Sequence, residues 1–204
     1  DFPNAEIFFF FFLGADELLK NNIRYCLWIE DAKLQDANNI APINKRINDV
    51  KEFRLNSRDI SAQLLSKKAH QFRDFFNIKT SAIIIPQTTS ETRNYIPLGF
   101  VDDKYIISNA ARVIYEAEIW MFSILTSKIH NNWVQAVAGR LETRIQYSNT
   151  LCYNTFPFLP ISQSQKEELE QCVFRILEER ENHSEKTLAQ LYDPEKMPDG
   201  LREA

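Results

Sequence analysis

Glycine is scarce in this 204-residue chain, at four positions: Gly14, Gly99, Gly139 and Gly200. They form no G-x-G-x-x-G, P-loop or G-x-S-x-G pattern, so the usual phosphate cradles and the nucleophile elbow are missing, and nucleotide hydrolysis is not expected. Histidine is as sparse. His70, His130 and His183 lie far apart, without an H-E-x-x-H helix or paired cysteines, which leaves a dedicated metal site without ligands. Cys26, Cys152 and Cys172 are odd in number and widely spaced. That usage suits reduced, buried thiols in cytoplasm rather than a disulfide framework. The longest apolar run, Ile7 to Leu13, falls far short of the roughly 20 residues that span a bilayer, and no basic segment precedes it as in a signal peptide. No membrane association is expected, and the expected location is cytoplasmic.

The composition, 44% hydrophobic and 25% charged, is that of an ordinary globular chain. The net charge of −4 hides an uneven distribution, because residues 45–79 hold nine basic and four acidic side chains while residues 151–204 hold six and eleven. In the basic block Lys45, Arg46, Lys51, Arg54, Arg58, Lys67, Lys68, Arg73 and Lys79 alternate with Phe53, Phe72, Phe75 and Phe76. Such a block fits phosphate neutralisation and fits a solvated helical face equally well.

Ile7 to Leu13 and Arg24 to Ile29 have the aromatic and branched character of strands, and Ala15 to Asn22 between them that of a short helix. The spacing over 44–77 is helical, with an exit near Phe75 to Ile78. Strands are expected at Ser81 to Pro86, Tyr95 to Phe100, Tyr105 to Ser108 and Arg112 to Tyr115, with turns at Pro97-Leu98-Gly99 and Asp102-Asp103. Glu118 to Ala138 reads as one helix closed by a left-handed Gly139, and Arg140 to Asn149 as a loop or edge strand. Ser162 with Gln165 forms a capping box, followed by Leu169, Cys172, Val173, Ile176 and Leu177 at helical spacing, with Glu167, Glu168, Glu170, Glu178, Glu179 and Glu181 facing out. The fold class expected is α+β: a mixed α/β body over residues 1–160 with a C-terminal helical appendage over residues 161–204.

Two segments carry candidate chemistry. Tyr153-Asn-Thr-Phe-Pro-Phe158 superficially resembles the Asn-Pro-Pro-Tyr signature of amino-group methyltransferases, but Thr155 and Phe156 stand where prolines belong, so it reads as an extended, aromatic-packed connector. In Gly139-Arg-Leu-Glu-Thr-Arg-Ile-Gln-Tyr-Ser148, the residues Glu142, Arg144 and Gln146 recur at a spacing of two and would share one face of a strand. Glu accepts from cytosine N4, Arg donates twice to guanine and Gln pairs both ways with adenine, so the set suits a major-groove edge. The same set also suits an exposed, salt-bridged strand surface.

Several blocks taken together resemble one family: Leu13-Gly-Ala-Asp-Glu17, Arg24-Tyr-Cys-Leu-Trp28, Ser90-Glu-Thr-Arg-Asn-Tyr-Ile-Pro97, Leu125-Thr-Ser-Lys-Ile-His130 with Trp133, Gly139-Arg-Leu141, Tyr147-Ser148, Tyr153-Asn154 with Phe156-Pro157, and Leu191-Tyr-Asp-Pro194 with Met197-Pro198. In order and number they resemble the target-recognition domain and the start of the C-terminal helical region of MmeI-like type IIL restriction-modification enzymes, which fuse an endonuclease, a DNA adenine-N6 methyltransferase and a specificity domain. The resemblance covers nearly the whole chain. It implies an excised part of a longer protein, consistent with a start at Asp1 and a stop at Ala204, that is non-catalytic alone and whose partners are double-stranded DNA and the methyltransferase domain of the same parent chain. S-adenosylmethionine and Mg then belong to the parent protein, with no cofactor in this fragment. It also implies base-reading roles for Glu142, Arg144, Gln146, Asn109, Ala110 and Gln87, while the basic block offers Lys67, Lys68 and Arg73 to phosphates. The alternative is a protein-interaction or structural domain that docks through its acidic C-terminal helix.

Overall fold

The computed structural model describes residues 4–74 and 78–204. The aromatic run near the N-terminus divides at Phe8, which closes a 3-10 turn, and Phe9–Leu13 forms strand β1. Gly14 joins it to helix α1 (Ala15–Lys20). A Cβ at Gly14 would stand 2.5 Å from Ser108 Oγ and 2.9 Å from Glu17 Oε2, so any side chain there would push those two groups aside. Asn21 ends α1 in the left-handed region, φ 55°, which asparagine tolerates. Strand β2 (Tyr25–Leu27) then pairs antiparallel with β1.

The helical stretch expected over 44–77 is divided. After a preceding α2 (Leu34–Asn38), it consists of helices α3 (Ala41–Leu55) and α4 (Ile60–Leu64) and a 3-10 turn at Leu65–Lys68. Asp59 restarts the helix by accepting from the Ser61 N–H at 2.8 Å, a side-chain cap that favours a new N-terminus over continuation of α3. Arg54 donates to the carbonyls of Leu65, Lys68 and Gln71 at 2.9, 2.8 and 2.8 Å. One cation of the basic block is thus a structural clasp. The exit expected at Phe75 to Ile78 falls mostly on residues 75–77, outside the described residues.

The β-rich middle comprises β3 (Ala82–Pro86), β4 (Thr88–Thr89), β5 (Gly99–Val101), β6 (Tyr105–Ile107) and β7 (Ala111–Tyr115). The strand expected from Tyr95 begins only at Gly99; Pro97 and Leu98 form no turn and are buried, spent on packing rather than pairing. β3 lies between β5 and β7, antiparallel to both, and β1 lies between β2 and a parallel β6. All of β3 is buried. Ile83 and Ile85 enter the main core and Ala82 and Ile84 a second one, as alternation demands of a strand covered on both faces.

The helix expected over 118–138 is two helices, α5 (Ile119–Thr126) and α6 (Lys128–Val137). Ser127 takes an extended conformation (φ −65°, ψ 157°) and its Oγ accepts from the His130 N–H at 3.2 Å, capping α6 where the apolar periodicity showed no break. Gly139 is not a left-handed cap. Ala138 ends α6 in extended conformation, and Gly139 opens strand β8 (Gly139–Leu141), which pairs with β9 (Arg144–Gln146). The polar run is therefore a hairpin, and β4 covers the other edge of β9.

Helix α7 (Gln163–Glu181) starts as expected, with both halves of the Ser162–Gln165 capping box formed. It is followed by α8 (Leu188–Leu191) and α9 (Asp199–Glu203). The α/β body and the helical region share one core, since Val173, Ile176, Leu191 and Leu201 pack with Ile83, Ile85, Phe122 and Tyr147. Arg180 ties them together. Its guanidinium lies 5.2 Å from the Phe122 ring centroid and 4.9 Å from that of Tyr192, and donates to the Leu98 carbonyl at 2.8 Å and to the Tyr192 hydroxyl. Of the six glutamates expected to face out, Glu170 and Glu179 are half-buried and the other four exposed. Among the described residues no helix is long and apolar enough to cross a membrane.

Candidate functional site

The hairpin presents its side chains by strand alternation. Ile145 at the centre of β9 is fully buried, so Arg144 and Gln146 on either side of it point away from the core. Glu142 is not on that strand, as the spacing of two had suggested. It is the first of the two loop residues, with φ 57°, a position where tight hairpins prefer glycine. The loop turns its carboxylate back, and Glu142 Oε2 meets Arg144 Nη2 at 3.0 Å with both side chains largely in solvent. A glutamate held in a left-handed conformation at a hairpin tip is local strain of the kind found at functional positions.

The far end of β9 is anchored below. Tyr147, 1% exposed, donates its backbone N–H to the Gln87 carbonyl at 2.7 Å, and its hydroxyl lies 3.0 Å from His130 Nε2. Burial holds the His130 pKa down at about 4, so the ring is neutral, and pushes the Tyr147 phenol up. Phe156 meets the His130 ring edge-on, with centroids 4.6 Å apart. The segment over 153–158 is aromatic-packed as expected, but its start is not extended, because Tyr153 closes a π-helical turn (Asn149–Tyr153) and Asn154 takes a helical backbone conformation.

Gln87 links the hairpin to β7. Its backbone N–H donates to the Ala110 carbonyl at 3.0 Å. In the amide orientation that satisfies both groups, its side-chain nitrogen donates to the Asn109 carbonyl at 2.6 Å and its oxygen accepts from Arg112 Nη2 at 3.1 Å. Asn109 and Ala110 are exposed on a tight turn before β7, held by Ser108 Oγ accepting from the Ala110 N–H at 3.2 Å. A cleft of about 530 Å³ opens beside them, lined by Asp74, Asn109, Arg112, Tyr115 and Asn149 among others.

The structure therefore joins Gln87, Asn109, Ala110 and Gln146 through adjoining backbone, and sets Glu142 and Arg144 at the tip of the same hairpin. Lys67, Lys68 and Arg73 are exposed on a separate segment, which reaches the cleft through Asp74. Of the three, Lys68 is engaged, its ammonium 3.0 Å from Asp31, and Asp31 is held below the usual carboxylate range by His70 and Lys68. Arg112 and Asn149 were not singled out from sequence, and His130 and Tyr147 stood there only in separate blocks, not as a couple. An arginine on a short amphipathic strand carries no signal of its own, and His130 looked like one of three scattered histidines.

The strand–glycine–helix junction at Gly14 tests for a nucleotide-type cofactor, because that is where such a ligand approaches a backbone. Here Ser108 Oγ and Glu17 Oε2 occupy the space beside Gly14, so this junction does not fit the close backbone approach that S-adenosylmethionine would make there.

Residues 1–160 match the family model for the target recognition domain of MmeI, and residues 161–204 that for the MmeI C-terminal domain. "DNA methyltransferase A" of Bacillus subtilis (strain 168) is 40% identical over 203 residues, covering 100% of this chain and 23% of the relative. A solved structure of the type IIL restriction-modification enzyme MmeI in complex with DNA superimposes with a TM-score of 0.94 at 39% identity, over 98% of this chain and 27% of the other. This chain thus spans about a quarter of the length of these relatives, and it belongs to the MmeI family by its target recognition and C-terminal domains.

Proposed function

We propose that this chain is a sequence-specific double-stranded DNA recognition module that works within a longer adenine-N6 methyltransferase and restriction protein, with residues 1–160 as the reading part and residues 161–204 as the start of a helical region. The observation that carries this reading is the β8–β9 hairpin, whose outward side chains stand on a buried Ile145 and are joined through Gln87 to the Asn109-Ala110 turn. That gives one polar edge of donors and acceptors on a rigid support, the arrangement that major-groove reading needs. The likeness to MmeI bound to DNA supports it. Glu142, Arg144, Gln146, Asn109 and Ala110 face bases, Gln87 belongs to the same edge with its amide turned to Asn109 and Arg112, and Lys67, Lys68 and Arg73 face phosphates. S-adenosylmethionine and Mg are taken by the rest of the parent protein, which acts in the cytoplasm, and this module catalyses no step itself.

The alternative, docking through the acidic helix, loses its apolar anchor, because Val173 and Ile176 are used inside the core. The test is selection of bound duplexes from a randomised pool by the full-length protein, repeated over a range of salt. A recovered consensus with affinity falling steeply in salt supports the proposal. Salt-insensitive binding without a consensus refutes it.

A further inference from the structure

Arg112 is the second residue of β7, paired across the sheet with Ile85 of β3. Its half-buried side chain lines the 530 Å³ cleft together with Asn109, Asn149 and the exposed Asp74. Withdrawing a guanidinium from water is costly, and a carboxylate usually offsets that cost. None does so here: among the described residues no carboxylate lies within ion-pairing distance of Arg112. What holds it is neutral. Gln87 accepts from its Nη2 at 3.1 Å while donating to the Asn109 carbonyl at 2.6 Å. Five N–H donors belong to an arginine, and this bond uses one. The fork is oriented by the Gln87 amide yet keeps most of its donors for whatever enters the cleft.

We infer that Arg112 reads a guanine through its O6 and N7 edge, with Gln87 and the Asn109 turn supporting it, so that the three residues act on a single base pair. This rests on the DNA-recognition reading above. Guanine is favoured over a phosphate by placement. Lys67 and Arg73 are exposed cations on a segment outside the sheet, suited to a backbone that needs charge but little geometry. Arg112 is set into a paired strand and braced by a planar amide, as a bidentate contact to a flat base edge requires. Asp74 also lines the cleft but makes no ion pair with Arg112, so no salt bridge has to be broken when a base edge brings its acceptors to the free N–H groups.

The experiment places Arg112→Lys, Gln87→Ala and the double substitution in the full-length protein and compares the duplexes each selects from a randomised pool. Lysine keeps the charge and stem but loses the planar fork. The expected result is that R112K lowers the preference for one G·C pair by roughly 5- to 150-fold. Binding to unrelated duplex and its salt slope should stay as in the wild type. Q87A should relax the same pair by less, and the double variant should be no worse than R112K, because the two residues share one contact. Relaxation at two different pairs would overturn the inference, as would a uniform loss with a shallower salt slope, which marks a phosphate contact. If R112K does not fold, Q87A decides alone, and it must relax a G·C pair. A wild-type protein that selects no sequence sinks the recognition reading itself, whereas selection retained in R112K sinks only the role of Arg112.

Discussion

Glu142→Gly separates folding from reading at the hairpin tip. Glu142 sits at φ 57° in the two-residue loop, and its carboxylate bonds Arg144 at 3.0 Å. A side chain in the left-handed region costs about 1 to 2 kcal/mol, which glycine relieves. Against this stand the extra backbone freedom that glycine loses on folding, about 0.5 to 1 kcal/mol, and a solvent-exposed ion pair worth about 0 to 1 kcal/mol. These contributions nearly cancel, so the net change in stability should stay within about 1.5 kcal/mol and the urea midpoint should move little. The loss for DNA is of a different size. A base contact of the kind proposed carries about 1 to 3 kcal/mol of discrimination, so preference at one base pair should fall roughly 5- to 150-fold while binding to unrelated duplex is kept. Urea unfolding, with sequence selection by the full-length protein, measures both sides. A stable E142G protein that selects the unchanged sequence would refute the base-reading role of Glu142. The reversed pair, Glu142→Lys with Arg144→Asp, should then exchange donor for acceptor and switch the preferred base at that same position.

Removing the charges of Lys67 and Arg73 should weaken binding to every duplex alike and reduce the slope of log affinity against log salt by about 0.9 per lost phosphate contact; Lys68, held by Asp31, should contribute less, and an unaltered slope would make the patch a solvated face. His130 predicts an acid-sensitive fold. Its folded pKa of about 4 lies below the ordinary 6.5, so the unfolded chain takes up a proton first as pH falls. Its contribution is complete above about pH 6.5 and is lost between there and about pH 4, on the order of 3 kcal/mol, and His130→Asn should remove that part of the pH dependence seen by urea unfolding. Val173, fully buried on α7, should tolerate no charge; Val173→Asp should cost several kcal/mol, about 3 to 5, and unchanged thermal unfolding would show that this face does not pack as described.

The sequence by itself determined what local chemistry determines. The capping box at Ser162 and the apolar spacing through Ile176 specified α7, and the branched run at Ser81 to Pro86 specified β3, because a helix start and a buried strand are written in neighbouring residues. The order of short blocks was enough to indicate the family. Only the tertiary structure decided the rest. Ser127 divides what periodicity shows as one helix, since a side-chain cap competes with backbone continuation by an amount that spacing does not reveal. Glu142 left the strand face for the loop because register in a hairpin is set by pairing across strands, Leu141 with Arg144, and by the buried Ile145. Arg112 and Gln87, 25 positions apart in the chain, meet because β3 and β7 are antiparallel neighbours. The charge of Arg112 was legible in the sequence, but its place in a cleft with no carboxylate in ion-pairing distance depends on which strands pair, and pairing between distant segments is decided by how the whole core closes.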